Sequence, residues 1–423
     1  MKQISVKVLS LALSFIMLAS MAVVPASAAE NNTVASGEVD AVILVNSHDD
    51  RTDLPTNSGS AGYYTKWSLY DDGNLYIYGN GRMNSYANTS SSGIPWNSYK
   101  DKIKSITIES GVTSIGAYAF ADCAVKNVSI AQSVTSIENG AFSNCTKLDY
   151  IDIPISVTQI GDYAFMRCSS LDNVRIKRCT KTIGSFAFSD CTALKKLTVD
   201  DGVQEIGESA FQGCVSLKSA DLPNSIESIG KSAFGGCKTL ESASVPNRLT
   251  EIADNTFQYC EKLSSVTIPS SVNTIGFSAF GNCTSLKEIM FNGNKPIMQY
   301  LINYPFDGVK AHVSYPENND SWVNIEENWD GGGEMTFGAV AVTEKEKEDN
   351  DEQEERGENQ FEFKEVSLGC DHSAAITSDG SLYTWGENVY GQLGDGTHAD
   401  SFTPKKIMDK ELCINNQYKS SCK

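Results

Sequence analysis

Between residues 103 and 292 the apolar positions follow one pattern, repeated eight times. Residues 203–223 read "VQEIGESAFQGCVSLKSADLP", and "NSIESIGKSAFGGCKTLESASVP" follows directly. Phe recurs at Phe120, Phe142, Phe165, Phe188, Phe211, Phe234, Phe257 and Phe280, with a step of 22 once and 23 six times. Ile stands five residues before each Phe position, as at Ile115, Ile137, Ile160, Ile206 and Ile275, and Cys stands three after, from Cys123 to Cys283. Each unit then closes on L-x-x-apolar-x-apolar, as in Leu148/Ile151/Ile153 and Leu263/Val266/Ile268. That period-2 ending predicts a strand with one buried face.

A unit of this length holds about seven apolar positions, too few to close a core alone, so it must bury them against its neighbours. The prediction is a stacked solenoid. With strands about 4.8 Å apart, eight coils give an arc of roughly 38 Å. A Gly after most of the Ile positions (Gly161, Gly207, Gly230) suits a tight corner, and Pro154, Pro223, Pro246 and Pro269 end their strands. The A-F-x-x-C segment is expected to form a single helical turn opposite the sheet.

The consensus V-x-x-I-G-x-x-A-F-x-x-C-x-x-L-x-x-V-x-I-P resembles the BspA-like leucine-rich repeat of bacterial surface and secreted proteins. The resemblance implies a β-rich solenoid of about eight coils, with a parallel sheet face and short helical turns. Departures are few: Glu138 and Ala253 replace the Gly, Thr256 replaces the Ala, and the first unit is one residue short, with Val125 in place of the Leu.

Eight in-phase cysteines raise the question of disulfides. Neighbours in one column point the same way, and the Cβ–S–S–Cβ torsion near 90° is hard to reach from parallel side chains. Buried free thiols acting as small apolar fillers are therefore expected. No His column accompanies them, so no metal site is expected.

The flanks carry separate signals. Residues 1–28 have Lys2 and Lys7, an apolar run and Ala26-Ser27-Ala28, the pattern of a cleaved signal peptide. The mature protein is thus expected to be secreted or at the cell surface, with no membrane insertion after cleavage. Residues 29–62 are expected to be a flexible segment, and 63–102 an N-terminal cap in which "WSLYDDGNLYIYGNG" forms a hairpin. The array (103–292) is followed by a C-terminal cap at 293–343. An acidic, disordered linker is expected at 344–360, since Glu344 to Glu358 holds nine acids and three bases.

A second repeat type occupies 361–407. "VSLGCDHSAAITSDGSLYTWGENVYGQLGDGT" resembles one repeat of the regulator-of-chromosome-condensation family, on Gly369, His372, Asp379-Gly380, Trp385-Gly386, Asn388 and Gly391-Gln392-Leu393-Gly394. The resemblance implies one incomplete propeller-type blade. Propellers need four to eight, so truncation or frameshift after this unit is expected, with packing on another body as the alternative. Residues 408–423 have no periodicity and read as an irregular tail.

The chemistry is sparse. His48, His312, His372 and His398 lie in different segments, and no H-E-x-x-H, G-x-S-x-G or P-loop pattern occurs. No enzyme activity and no cofactor are expected. The formal charge is -19, and loss of Lys2 and Lys7 with no acid takes it to -21, which speaks against nucleic acid as a partner. One stretch reverses that sign: between Arg167 and Lys196 seven bases face only Asp172 and Asp190. Residues between the inward strand positions point outward, so Tyr150, Asp152, Asn173, Arg175, Lys177, Lys196 and Thr198 are placed on one sheet face. Tyr150, Asn173, Arg175, Lys177, Arg178 and Lys196 are the candidate ligand-binding residues. The leading expectation is a non-enzymatic protein that binds a protein or glycan, as in adhesion. A targeting part of a secreted enzyme and a structural cell-envelope component are the alternatives.

Overall fold

The structure, a computed structural model, describes residues 55, 57–88, 93–299 and 303–341, and within 363–408 all but 369–371, 379, 387, 389–390 and 398. The expected signal peptide and acidic linker lie outside the described residues. The described residues fall into two compact parts, one within 45–347 and one within 348–423.

In the first part the repeats stack as coils, each contributing two short strands. On one side Asn74–Gly79, Ser105–Ile108, Asn127–Ile130, Tyr150–Ile151, Asn173–Ile176 and Lys196–Val199 pair in parallel and in register, and Ser265–Ile268, Glu288–Phe291, Lys310–Pro316 and Glu334–Val340 do the same further on. The V-x-x-I positions form a second parallel ladder, from Gly81–Arg82 to Ser228–Ile229 and again from Glu251–Ile252 to Ile297–Met298. The eight Phe side chains are almost completely buried between the ladders. The predicted solenoid with a parallel sheet face is the observed fold.

The stack continues past the eight repeats at both ends. Trp96 stacks on Phe120 with centroids 5.3 Å apart, and Phe306 stacks on Phe280 at 5.1 Å. The Trp96 indole N–H donates to Ala119 O at 2.8 Å, so the ring that caps the column also satisfies its own polar atom. The hairpin lies where its pattern placed it: Thr65–Leu69 pairs antiparallel with Asn74–Gly79. Asn57–Ser60, inside the segment expected to be flexible, adds a further antiparallel strand.

The A-F-x-x-C segment is not a helical turn. In the coil of Phe142 the amides of Gly140, Phe142 and Asn144 donate along the stack to Asp162, Ala164 and Met166 at 2.6–2.8 Å. The amides of Ala141, Ser143 and Cys145 instead close i to i−3 turns at 3.0–3.2 Å. Alternate donors thus point to the next coil, which a helix forbids. The geometry requires a left-handed residue two before and two after each Phe, with φ between 49° and 73° in every repeat. Gly fills this position at Gly140, Gly213 and Gly236, but Tyr118, Tyr163, Phe186 and Arg167 also adopt it. Bulky residues avoid that region, so the ladder over-determines it.

The Gly after the Ile has a different role from the tight corner expected of it. Its φ is not left-handed; rather, a Cβ on Gly161, Gly184, Gly207, Gly230 or Gly276 would lie 2.4–2.6 Å from a backbone N of the preceding coil. Glycine is there because two backbones touch.

The second part contains one antiparallel four-stranded sheet: Phe363–Leu368, His372–Thr377, Leu382–Gly386 and Ser401–Met408, each paired with the next. This fits a propeller-type blade. Asn388, fully buried, accepts from the Leu393 amide at 2.9 Å and donates to Asp395 at 3.0 Å, pinning the loop between the last two strands.

Candidate binding face

Strand register brings three of the candidate residues into one row. Asn173 stands opposite Tyr150 on one side and Lys196 on the other, and Arg175 stands opposite Thr198. Because successive strand residues alternate faces, Val174 and Ile176 are buried while Arg175 is exposed. Tyr150 is 56% exposed, with its ring on the solvent face of the sheet. Lys177 and Arg178 are half-buried and follow the strand Asn173–Ile176 into its corner.

The corner explains the irregular residues there. Thr180, fully buried where other coils carry an aliphatic side chain, donates its hydroxyl to Val157 O at 2.9 Å in the preceding coil. A buried polar group is tolerated because it is bonded.

The charges are arranged differently from their order along the chain. Arg175 Nε donates to both carboxylate oxygens of Asp200, at 3.0 and 3.2 Å, and Lys177 Nζ lies 2.7 Å from Asp152 Oδ1. Both acids fall outside the stretch 167–196 in which bases predominate, and both balance it in space. Arg167 lies on the turn edge, 3.7 Å from Asp190, and takes no part in the sheet face. Among the described residues Lys196 has no carboxylate partner, so it is the freest cation of the row. The role of Asp200 was missed in the sequence, although it sits one period after Lys177 and two after Pro154.

The cysteine column is closed to solvent. From Cys145 to Cys283 each thiol donates to the carbonyl of the Phe one coil earlier, at 3.1–3.3 Å. All eight cysteines of the column are free and buried. Burial pushes the thiols of Cys123, Cys168 and Cys237 up to about 12 and those of Cys145, Cys191, Cys214 and Cys260 well above the ordinary range. They are protonated donors and not nucleophiles. Among the described residues no three His, Cys, Asp or Glu side chains converge as a metal site would require, and no helix is long and apolar enough to cross a membrane.

These features define a repeat solenoid with an open sheet face, and a repeat-family model assigns it further. The "BspA type Leucine rich repeat region" matches in six copies over 97–218 and 204–320, together more than half of the chain. The chain belongs to the BspA-type leucine-rich repeat family. Two models of the regulator of chromosome condensation (RCC1) repeat match 363–392 and 379–413.

Among solved structures, a leucine-rich repeat protein from Bacteroides ovatus is 24% identical, covering 65% of this chain and 75% of that one with a TM-score of 0.47. A leucine-rich cell surface protein from Faecalibacterium prausnitzii is 22% identical over 64% of this chain and 98% of that one, with a TM-score of 0.27. Among curated proteins, the Arabidopsis thaliana ultraviolet-B receptor UVR8 and human E3 ubiquitin-protein ligase HERC2 are each 46% identical over 44 residues. The chain spans 10% of the first and 1% of the second.

Proposed function

We propose that the protein is an exported, non-enzymatic binding protein that uses its sheet face at the bacterial surface or outside the cell to hold a protein or glycan. The observation that carries this reading is the division of labour along each strand. Inward positions repeat from coil to coil, whereas the outward row changes from Tyr150 to Asn173 to Lys196 on a backbone held in register. A rigid stack with a variable outward row is how solenoids present extended binding surfaces. Membership of the BspA-type leucine-rich repeat family supports the location.

The ligand class favoured here is anionic, such as a sulfated or uronic-acid glycan, held by Arg175, Lys177, Arg178 and Lys196 with Tyr150 and Asn173 beside them. Guanidinium groups grip carboxylate or sulfate bidentately. Because Asp200 and Asp152 already hold Arg175 and Lys177, an anion must compete with two carboxylates. Glycan-array binding is expected to fall steeply with salt, since exposed charge pairs are screened within about 8 Å at physiological ionic strength. The quadruple change Arg175→Ser, Lys177→Ser, Arg178→Ser, Lys196→Ser should abolish it, and Asp152→Asn with Asp200→Asn should strengthen it. Binding that survives the quadruple change, or is indifferent to salt, rules the patch out.

A further inference from the structure

The stack has one place where both strand ladders are interrupted while the turn edge stays joined. Between the coil of Phe234 and the coil of Phe257 Ser242–Ala243 does not pair with Ser265–Ile268, and Ser228–Ile229 does not pair with Glu251–Ile252. The sheet-face ladder is also interrupted between Lys196–Val199 and Ser219–Ala220, but there the V-x-x-I ladder runs on. On the strand side of the Phe234–Phe257 junction Ser264 N donates to Glu241 O at 3.3 Å and Asn247 N to Asn224 Oδ1 at 3.0 Å. The missing bonds are plain beside their counterparts. The amides of Gly161, Gly184, Gly207, Gly230 and Gly276 each donate to the Ile one coil back at 2.8 Å, and Ala253 makes no such bond. In the same way Glu227 donates to Gln204 and Asn273 to Thr250, both at 2.8 Å, while Thr250 does not donate to Glu227. On the turn edge the junction is intact, with Ser232, Phe234 and Gly236 donating to Asp254, Thr256 and Gln258 at 2.7–2.9 Å. Lys231 and Asp254 add an ion pair across that edge at 2.7 Å.

The break in the V-x-x-I ladder has its cause in one methyl group. At the five glycines an added Cβ would come within 2.4–2.6 Å of the preceding coil's backbone N, and residue 253 is alanine. Its Cβ is incompatible with the spacing of the other coils, so the V-x-x-I ladder gives way there. Glu138, the other non-glycine in this column, keeps a bond to Ile115 O stretched to 3.0 Å, and its carboxylate accepts from the Ala117 amide in the preceding coil at 3.3 Å. Ala253 has no side chain with which to do this. Two further observations follow the opening. Phe234 and Phe257 are 5.6 Å apart, the widest spacing among the stacked rings of the column, where the rest lie at 5.1–5.4 Å. Val245, at an inward strand position, is only half-buried and lines a narrow apolar crevice with Ile229, Leu249, Ile252 and Phe257.

We infer that this junction is a built-in hinge: the turn edge is its pin, the two interrupted ladders are its opening side, and the solenoid moves as two blocks about it. The coils up to Phe234, which carry the candidate binding face, form one block, and the coils from Phe257 onward form the other. A ligand that touches both blocks would fix their angle; one that touches only the first would not.

Amide hydrogen exchange on the full chain tests this. Local opening exposes amides without global unfolding, so Thr250 and Ala253 are expected to exchange at least about 10-fold faster than Asn273 and Gly276. Ser232, Phe234 and Gly236 should stay as protected as Ser209, Phe211 and Gly213. Ala253→Gly should bring the amides at 250 and 253 to the protection of 273 and 276. Gly230→Ala should create a second opening one coil earlier, at Glu227 and residue 230; if that variant does not fold, Ala253→Gly alone decides. Equal protection at 250–253 and 273–276 in the unaltered protein overturns the inference. So does rapid exchange on the turn edge, or Ala253→Gly without effect.

Discussion

Above about pH 9 the solenoid is expected to lose stability steeply, with the thiol column as the cause. Seven thiols have folded-state values raised by burial, three of them to about 12. In the unfolded chain a thiol titrates at about 8.5. The folded protein therefore holds these protons in a window where the unfolded chain releases them. The stabilisation is fully present below about pH 8.5 and declines as pH rises toward 12. Each thiol contributes a slope of about 1.4 kcal/mol per pH unit in that window, so seven give on the order of 10 kcal/mol per unit while all unfold together. Tyr86, pushed up to about 12 by burial, acts in the same direction. Urea unfolding under reducing conditions at pH 8, 9 and 9.5 measures the slope, and Cys→Ala at two central coils should lower it by about two parts in seven. Alkylation at pH 8 without denaturant should leave the eight column thiols unlabelled. A flat profile to pH 9.5, full native labelling, or bridges between adjacent coils would falsify the account of the column.

How much of this was legible depends on which direction an interaction runs. Inward positions are spaced by the coil, so Phe, Cys and Ile announce the solenoid at a period that can be counted. The end rings escape that count because Phe306 comes 26 residues after Phe280, yet it stacks as the others do. The turn edge misled for a local reason: Phe and Cys three apart read as a helical turn, whereas alternate amides are claimed by the next coil. On the sheet face the strand positions of Tyr150, Asn173 and Lys196 were legible from alternation, but the pairing of Arg175 with Asp200 was not. That bond runs diagonally between coils, from one residue to another 25 positions on. Charge summed along a chain segment is a poor guide to charge on a face crossed by several segments. The substitution at Ala253 was visible as a departure from consensus. Its consequence became apparent only with the distance a Cβ would have at the other glycines.

Phe188→Ala is expected to destabilise the solenoid by about 3–5 kcal/mol, the range for removing a fully buried aromatic ring. Three features put it at the upper end. Its ring is inaccessible to solvent and stacks on two neighbours, Phe165 at 5.1 Å and Phe211 at 5.4 Å, so one substitution breaks two contacts. Such pairs contribute about 0.5–1.5 kcal/mol each beyond the area they bury. The cavity cannot collapse, because the backbone on either side is tied along the stack: Phe165 N donates to Ala187 O and Phe188 N to Ala210 O, both at 2.7 Å. In a linear array each coil touches only its neighbours, so a gap in the middle also weakens the coupling between the two flanks. Denaturant unfolding should therefore show a lower midpoint together with a lower m-value, as the flanks begin to unfold separately. Phe188→Leu, which keeps most of the volume, should cost less than half as much. A loss below about 1 kcal/mol for the alanine variant would mean that the ring column is filler, and that the backbone ladders alone hold the coils together.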